Sequence, residues 1–123
     1  MQNSYHDIEH WTSVNLMPHI LPGTPMNIGP TGVEAQTDQW IVTGVQVKDS
    51  FRGQGHAGRL LERVIADADA EGVLLMLMVA TDGTGLSVDQ LISFYGRRGF
   101  VMEDEDLLIM NRPPQFERSA VHA

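Results

Sequence analysis

Apolar residues fall at Ala57, Leu60, Leu61, Val64, Ile65 and Ala68, the i, i+3, i+4, i+7, i+8, i+11 series that gives a helix one buried stripe. The pattern predicts a helix over residues 57–70, closed by Gly72 as C-cap. Residues 40–47 before it read as a strand. Residues 73–80 after it are apolar throughout, as expected of a strand buried on both faces. Ser87-x-x-Gln90 has the form of a capping box for a second helix, with Val88, Leu91, Ile92 and Tyr95 on its apolar face and Gly99 as its stop. Residues 100–102 and 107–110 then read as a hairpin around the acidic turn 103–106.

Residues 1–39 are weakly patterned. Residues 8–16 suit either a strand or a short helix. Residues 17–32 carry four prolines and three glycines and read as a long irregular connection, a kind of segment that often has a functional role. Residues 32–36 suit a strand that turns at Thr37-Asp38 into 40–47. From Arg112, with Pro113-Pro114, a frayed tail over 112–123 is expected.

The 123 residues suffice for one domain spanning 1–123. With 42% hydrophobic and 20% charged residues, the composition is that of an ordinary globular protein. The longest apolar strand falls far short of the ~20 residues a membrane span needs. The polar start Met1-Gln2-Asn3-Ser4 has no basic and apolar signal pattern, so a cytoplasmic location is expected. The absence of cysteine excludes a disulfide frame and a thiolate nucleophile. Sixteen acidic against eight basic residues, a net charge of −8, argue against nucleic acid as the main substrate. Such a field suits a cationic amine, and equally serves solubility alone.

The densest signal is Val45-Gln46-Val47-Lys48-Asp49-Ser50-Phe51-Arg52-Gly53-Gln54-Gly55-His56-Ala57-Gly58. Here an apolar strand runs through a glycine-rich loop onto the start of a helix. Glycines there let a ligand approach the backbone. The free N–H groups of the first turn and the helix dipole then favour phosphate oxygens. Arg52 adds a positive charge at the mouth. Gly53-x-Gly55-x-x-Gly58 also matches a dinucleotide fingerprint, but residues 48–52 separate it from the strand and only one βαβ unit is present.

Arg52-x-x-Gly55-x-Ala57 resembles the acyl-CoA motif [Q/R]-x-x-G-x-[G/A] of the GNAT (Gcn5-related N-acetyltransferase) family. Its usual lead-in is present as Val47-x-Asp49-x-x-Arg52, with Asp49 replacing a common proline, and the leucine pair follows as Leu60-Leu61. Phe94-Tyr95-Gly96-Arg97-Arg98-Gly99-Phe100 is similar to the family's F/L-Y-x-x-x-G-F signature. The resemblance covers residues 40–111.

It implies an α/β (α+β) fold: a mixed, mostly antiparallel sheet with a central parallel βαβ unit and flanking helices. It implies acetyl-CoA as co-substrate and acetyl transfer to an amine, on a small molecule or peptide, by direct attack. The backbone of Val45, Gln46 and Val47 would hold pantetheine between two splayed strands. Arg52 and the amides of Gly53, Gln54, Gly55, His56, Ala57 and Gly58 would hold the pyrophosphate. Tyr95 would protonate the leaving thiolate. The family's asparagine seven residues before the tyrosine is Val88 here, and residues 73–80 hold no carboxylate. The base is therefore sought at Glu34, Asp82, an N-terminal histidine or water. The short N-terminal part, where the acceptor site is usually built, leaves room for a homodimer to complete it. The alternatives are a catalytically silent CoA-binding protein and a nucleotide-binding βαβ protein.

The motif accepts any residue at position 56, so His56 is expected to be an exposed helix-start residue. Tyr95 lies on an apolar stripe and also suits a plain core role. Histidines 6, 10, 19, 56 and 122 show no ligand spacing and the acidic run 103–106 suits a solvated turn, so no metal is expected.

Overall fold

The computed structural model describes residues 1–19 and 39–115, and the strand expected at 32–36 lies outside them, as does Glu34. Strand β1 (Ser4–Asp7) leads through a short 3₁₀ turn, Ile8–His10, to β2 (Thr12–Pro18). The ambiguous stretch 8–16 is thus partly each: Trp11, at φ 47°, sharply redirects the chain between them. Strand β3 (Gln39–Val47) precedes a second 3₁₀ turn, Asp49–Phe51, and helix α1 (His56–Glu71). Then follow β4 (Leu74–Met78), α2 (Val88–Gly96), β5 (Val101–Asp104) and β6 (Ile109–Arg112).

The six strands form one sheet in the order β1-β2-β3-β4-β6-β5. Only β3 and β4 are parallel, joined by the α1 crossover, and every other pair is antiparallel. The expected mixed sheet with one central βαβ unit is what the chain forms. Leu60, Leu61, Val64, Ile65 and Ala68 of α1 are buried against Val14, Val42, Leu75 and Leu77 of the sheet in a single core, which Leu91 and Tyr95 of α2 join. Each buried leucine, valine or isoleucine among them contributes about 1.5–3 kcal/mol by leaving water. Helix α1 ends as its sequence dictates: Gly72 takes φ 71°, and the N–H of Val73 returns to the Ala68 carbonyl at 2.8 Å. Ser87 and Gln90 form the full capping box on α2.

Three expectations are corrected. Strand β4 is buried on one face only: Leu75 and Leu77 are enclosed, while Met78 is 60% exposed. The apolar run reflects a strand whose second face is merely half covered. The β5–β6 turn lies at residues 105–108, two later than expected, because Asp104 accepts a hydrogen bond from the N–H of Leu107 (3.0 Å) and Leu108 adopts φ 57°. Arg112 is not the start of a frayed tail. It ends β6, is 5% exposed, and pairs with Asp69 at 2.6 Å.

The central strands separate where the site begins. Strands β3 and β4 pair only from Gln39↔Leu74 to Val42↔Leu77. At that point β3 carries an extra residue relative to β2, since Leu16 faces Val42 and Asn15 faces Gly44. A bulge bends its strand. Beyond it, Gly44 to Val47 stay paired with β2 and leave β4 behind.

Candidate active site

The separation opens a narrow gap of ≈ 70 Å³ lined by Val42 to Gln46, Leu77, Asp82, Thr84 and Tyr95. The N–H of Val47 donates to the Gly83 carbonyl at 2.7 Å, so it faces away from β2 and into the gap. Backbone direction alternates along a strand, so the N–H of Val45 faces the gap as well, while the Gln46 side chain lies on the exposed face. Tyr95 reaches this gap from α2. Its ring is packed edge-on against Phe94 and Phe100, and it is 6% exposed. Burial pushes its phenol up to about 12, so it stays protonated throughout the neutral range. The ring belongs to the core, and the residue also lines a cavity.

The glycine loop is built as the sequence implies. Gly53 (φ 78°) and Gly55 (φ 85°) occupy the left-handed region, which a side chain disfavours. Gly55 is the N-cap of α1, and no side chain caps that end, so the first-turn amides are not engaged by a capping group. An open cleft of ≈ 240 Å³ lies here, lined by Val47, Arg52, Gly53, Gly55, Ala57 and Gly58 on one side and by Phe94, Arg97 and Arg98 on the other. Gly58 leaves room for the Arg98 guanidinium, which a Cβ there would displace. Arg98 is itself fixed over the Phe94 ring at 4.2 Å and to the Phe94 carbonyl at 2.9 Å. Arg59 bends back to the Gln54 carbonyl. A protein of net charge −8 thus gathers four guanidiniums, those of Arg52, Arg59, Arg97 and Arg98, around one helix start. Uncapped amides, a helix dipole and these cations fit a diphosphate.

Arg52 departs from a free anchor. Its Nε donates to the Val47 carbonyl at 2.9 Å and its Nη1 pairs with Asp49 at 2.8 Å. In position 49, where the resembling motif commonly has proline, the acid thus shares this arginine with any ligand.

His56 is corrected most. It is 6% exposed and stacks on His10 at 3.7 Å and 13°, with Phe51 edge-on at 6.1 Å. Burial, then the nearby His10 and Arg59, lower its pKa against the smaller opposing effect of Asp7. Asp7 is held below its ordinary value chiefly by its 2.9 Å hydrogen bond with His10. The fold brings Asp7, His10 and His56 together with ligand-type atoms within 4.8 Å of one another. Sequence spacing had no way to show this, since the three lie on separate elements. They do not present a free ligand set for a metal: both nitrogens of His56 are engaged, with Arg59 (2.6 Å) and Gln54 (3.2 Å). The cluster instead ties the β1–β2 connection to the glycine loop.

Among the described residues no helix is long and apolar enough to cross a membrane. The model of the GNAT acetyltransferase family matches residues 23–100. No curated protein matches the chain in sequence. Its fold is similar to that of the NatC complex bound to Gag peptide and CoA (TM-score 0.58, 13% identity over 85% of this chain and 61% of that one). It is also similar to AtaTR bound with AcCoA (0.54, 15%, 90% and 61%) and to the histone acetyltransferase HPA2 and related acetyltransferase from Corynebacterium glutamicum (0.50, 22%, 85% and 57%). The chain spans less than two thirds of the length of these structures. With a six-stranded sheet that opens beside a glycine-loop helix start, and a family model matching more than half its length, the chain belongs to the GNAT acetyltransferase family.

Proposed function

We propose that the protein is an N-acetyltransferase that moves an acetyl group from acetyl-CoA to an amine on a small molecule or peptide, acting in the cytoplasm. The observation that carries this reading is the placement of Tyr95 in the gap between β3 and β4, next to an arginine-rimmed helix start. Structures of similar fold hold CoA or acetyl-CoA, which supports that co-substrate here. The first-turn amides of residues 53–58 with Arg52, Arg97 and Arg98 bind the pyrophosphate. The backbone of residues 45–47 binds the pantetheine arm, and the Val45 N–H polarises the thioester carbonyl as a fixed donor.

A neutral amine attacks that carbonyl carbon, forming the C–N bond, and the C–S bond breaks to release the CoA thiolate. The burial that raises the phenol to about 12 keeps it protonated and leaves it a hydrogen-bond donor to the departing sulfur. Tyr95 therefore stabilises the sulfur by hydrogen bonding, and the proton shed by the acceptor nitrogen neutralises the thiolate. The base that takes that proton first is water or Asp82, whose loop lines the gap in the ligand-free protein. The test is a screen of amines with detection of released thiol, on the natural chain and on Tyr95→Phe. Thiol release that depends on both an amine and Tyr95 supports the reading; hydrolysis alone, or none with any amine, opposes it. A second reading, a CoA-binding protein without catalysis, is favoured by the absence of a carboxylate on β4. The same screen separates the two.

A further inference from the structure

We propose that the loop 81–85 is a built-in stand-in for the pantetheine arm: it divides the site in the ligand-free protein and withdraws when CoA enters. This rests on the acetyl-CoA reading above. Both Val47 backbone groups that face the gap are taken by the chain itself. The N–H donates to the Gly83 carbonyl at 2.7 Å, and the carbonyl accepts from Arg52 Nε at 2.9 Å. An amide-bearing arm laid along β3 needs that donor and that acceptor.

The loop also stands in the way. Thr84 is 8% exposed and lines both the gap with Tyr95 and the cleft with the glycine loop. It is the residue that the two cavities share. A ligand with its diphosphate in the cleft and its reacting end at Tyr95 has to pass through the position of Thr84.

Gly83 makes the docked state specific. Its φ is +98°, and a Cβ on it would collide with the Val45 carbonyl oxygen and crowd the Gln46 side chain at 3.1 Å. Only glycine lets this loop lie so close to β3. Docking and ligand binding exchange one backbone hydrogen bond of the Val47 N–H for another, so the docked state is readily displaced. CoA affinity is accordingly reduced by the fraction of molecules with the loop in place.

The experiment is calorimetric titration of the full chain and of Gly83→Ala with two probes, CoA and 3′-phospho-ADP, its nucleotide half. The methyl group excludes the docked loop. CoA should bind about 3- to 10-fold tighter to Gly83→Ala, the gain expected from removing one competing hydrogen bond, while 3′-phospho-ADP affinity stays the same. CoA affinity that is equal or weaker in the variant, with 3′-phospho-ADP unchanged, overturns the loop proposal alone. Failure of both probes to bind the natural chain overturns the cofactor reading and this inference with it. Should Gly83→Ala not fold, the NMR coupling across the Val47–Gly83 hydrogen bond in the natural chain decides. Its loss on adding CoA supports the proposal, and its persistence overturns it.

Discussion

The imidazoles of His10 and His56 lie face to face, 3.7 Å apart, and join the turn after β1 to the N-terminus of α1. The pKa of His56 is lowered in the folded chain, so below its ordinary value near 6.5 the unfolded chain binds the proton more readily. Stability is therefore greatest above that value and falls as pH drops through the range below it. Asp7, also lowered, adds a second loss in the same direction from about 3.8 downward. Thermal melts between pH 8 and 5 should show a declining Tm, and His56→Gln should flatten that decline. A Tm that rises on acidification would contradict the assignment.

Arg112 and Asp69 form a two-point ion pair, at 2.6 and 3.1 Å, with the Arg112 Nε also donating to the Arg98 carbonyl at 2.7 Å. Asp69→Ala leaves an enclosed guanidinium without its counter-charge, a change that costs about 3 kcal/mol or more. Urea denaturation should show that loss. A change below ~1 kcal/mol would mean that Arg112 regains water in the variant.

Gly55→Val places a β-branched residue at φ 85° and brings its Cβ to 3.0 Å from the Arg59 guanidinium. The loop has to shift, and the first-turn amides with it. CoA binding should fall by at least about 100-fold in calorimetry, while strain costs roughly 1–2 kcal/mol of stability. Retained affinity would place the diphosphate elsewhere.

Tyr95→Phe keeps the packed ring and removes the hydroxyl, which no described group hydrogen-bonds. Stability should hardly change and acetyl-CoA affinity should persist, while kcat falls about 10²–10³-fold, the usual effect of losing one donor to developing charge. Full turnover would make the residue a core tyrosine only.

Much of this was legible in the chain because the signals were local. The α1 stripe, the Gly72 cap and the Ser87–Gln90 box each depend on residues within a few positions, and each formed as the pattern implied. The glycine loop was legible for the same reason. The burial of His56 was not, since its partner His10 lies 46 positions away on another element. The contact of Gly83 with Val47 is likewise tertiary, and Asp82-Gly83-Thr84-Gly85 reads in sequence as any loop. The one-sided burial of β4 escaped because an apolar run does not say how many faces are covered.

The central claim, that this site takes acetyl-CoA, is tested most directly by the thermal stability of the full chain with acetyl-CoA, CoA, NAD or ATP. A ligand at ~100 times its Kd stabilises by about 2.7 kcal/mol, a shift of several degrees in a domain this size. Acetyl-CoA and CoA should raise Tm by that amount, with NAD and ATP giving little. A shift with NAD or ATP and none with either CoA ligand would contradict the account.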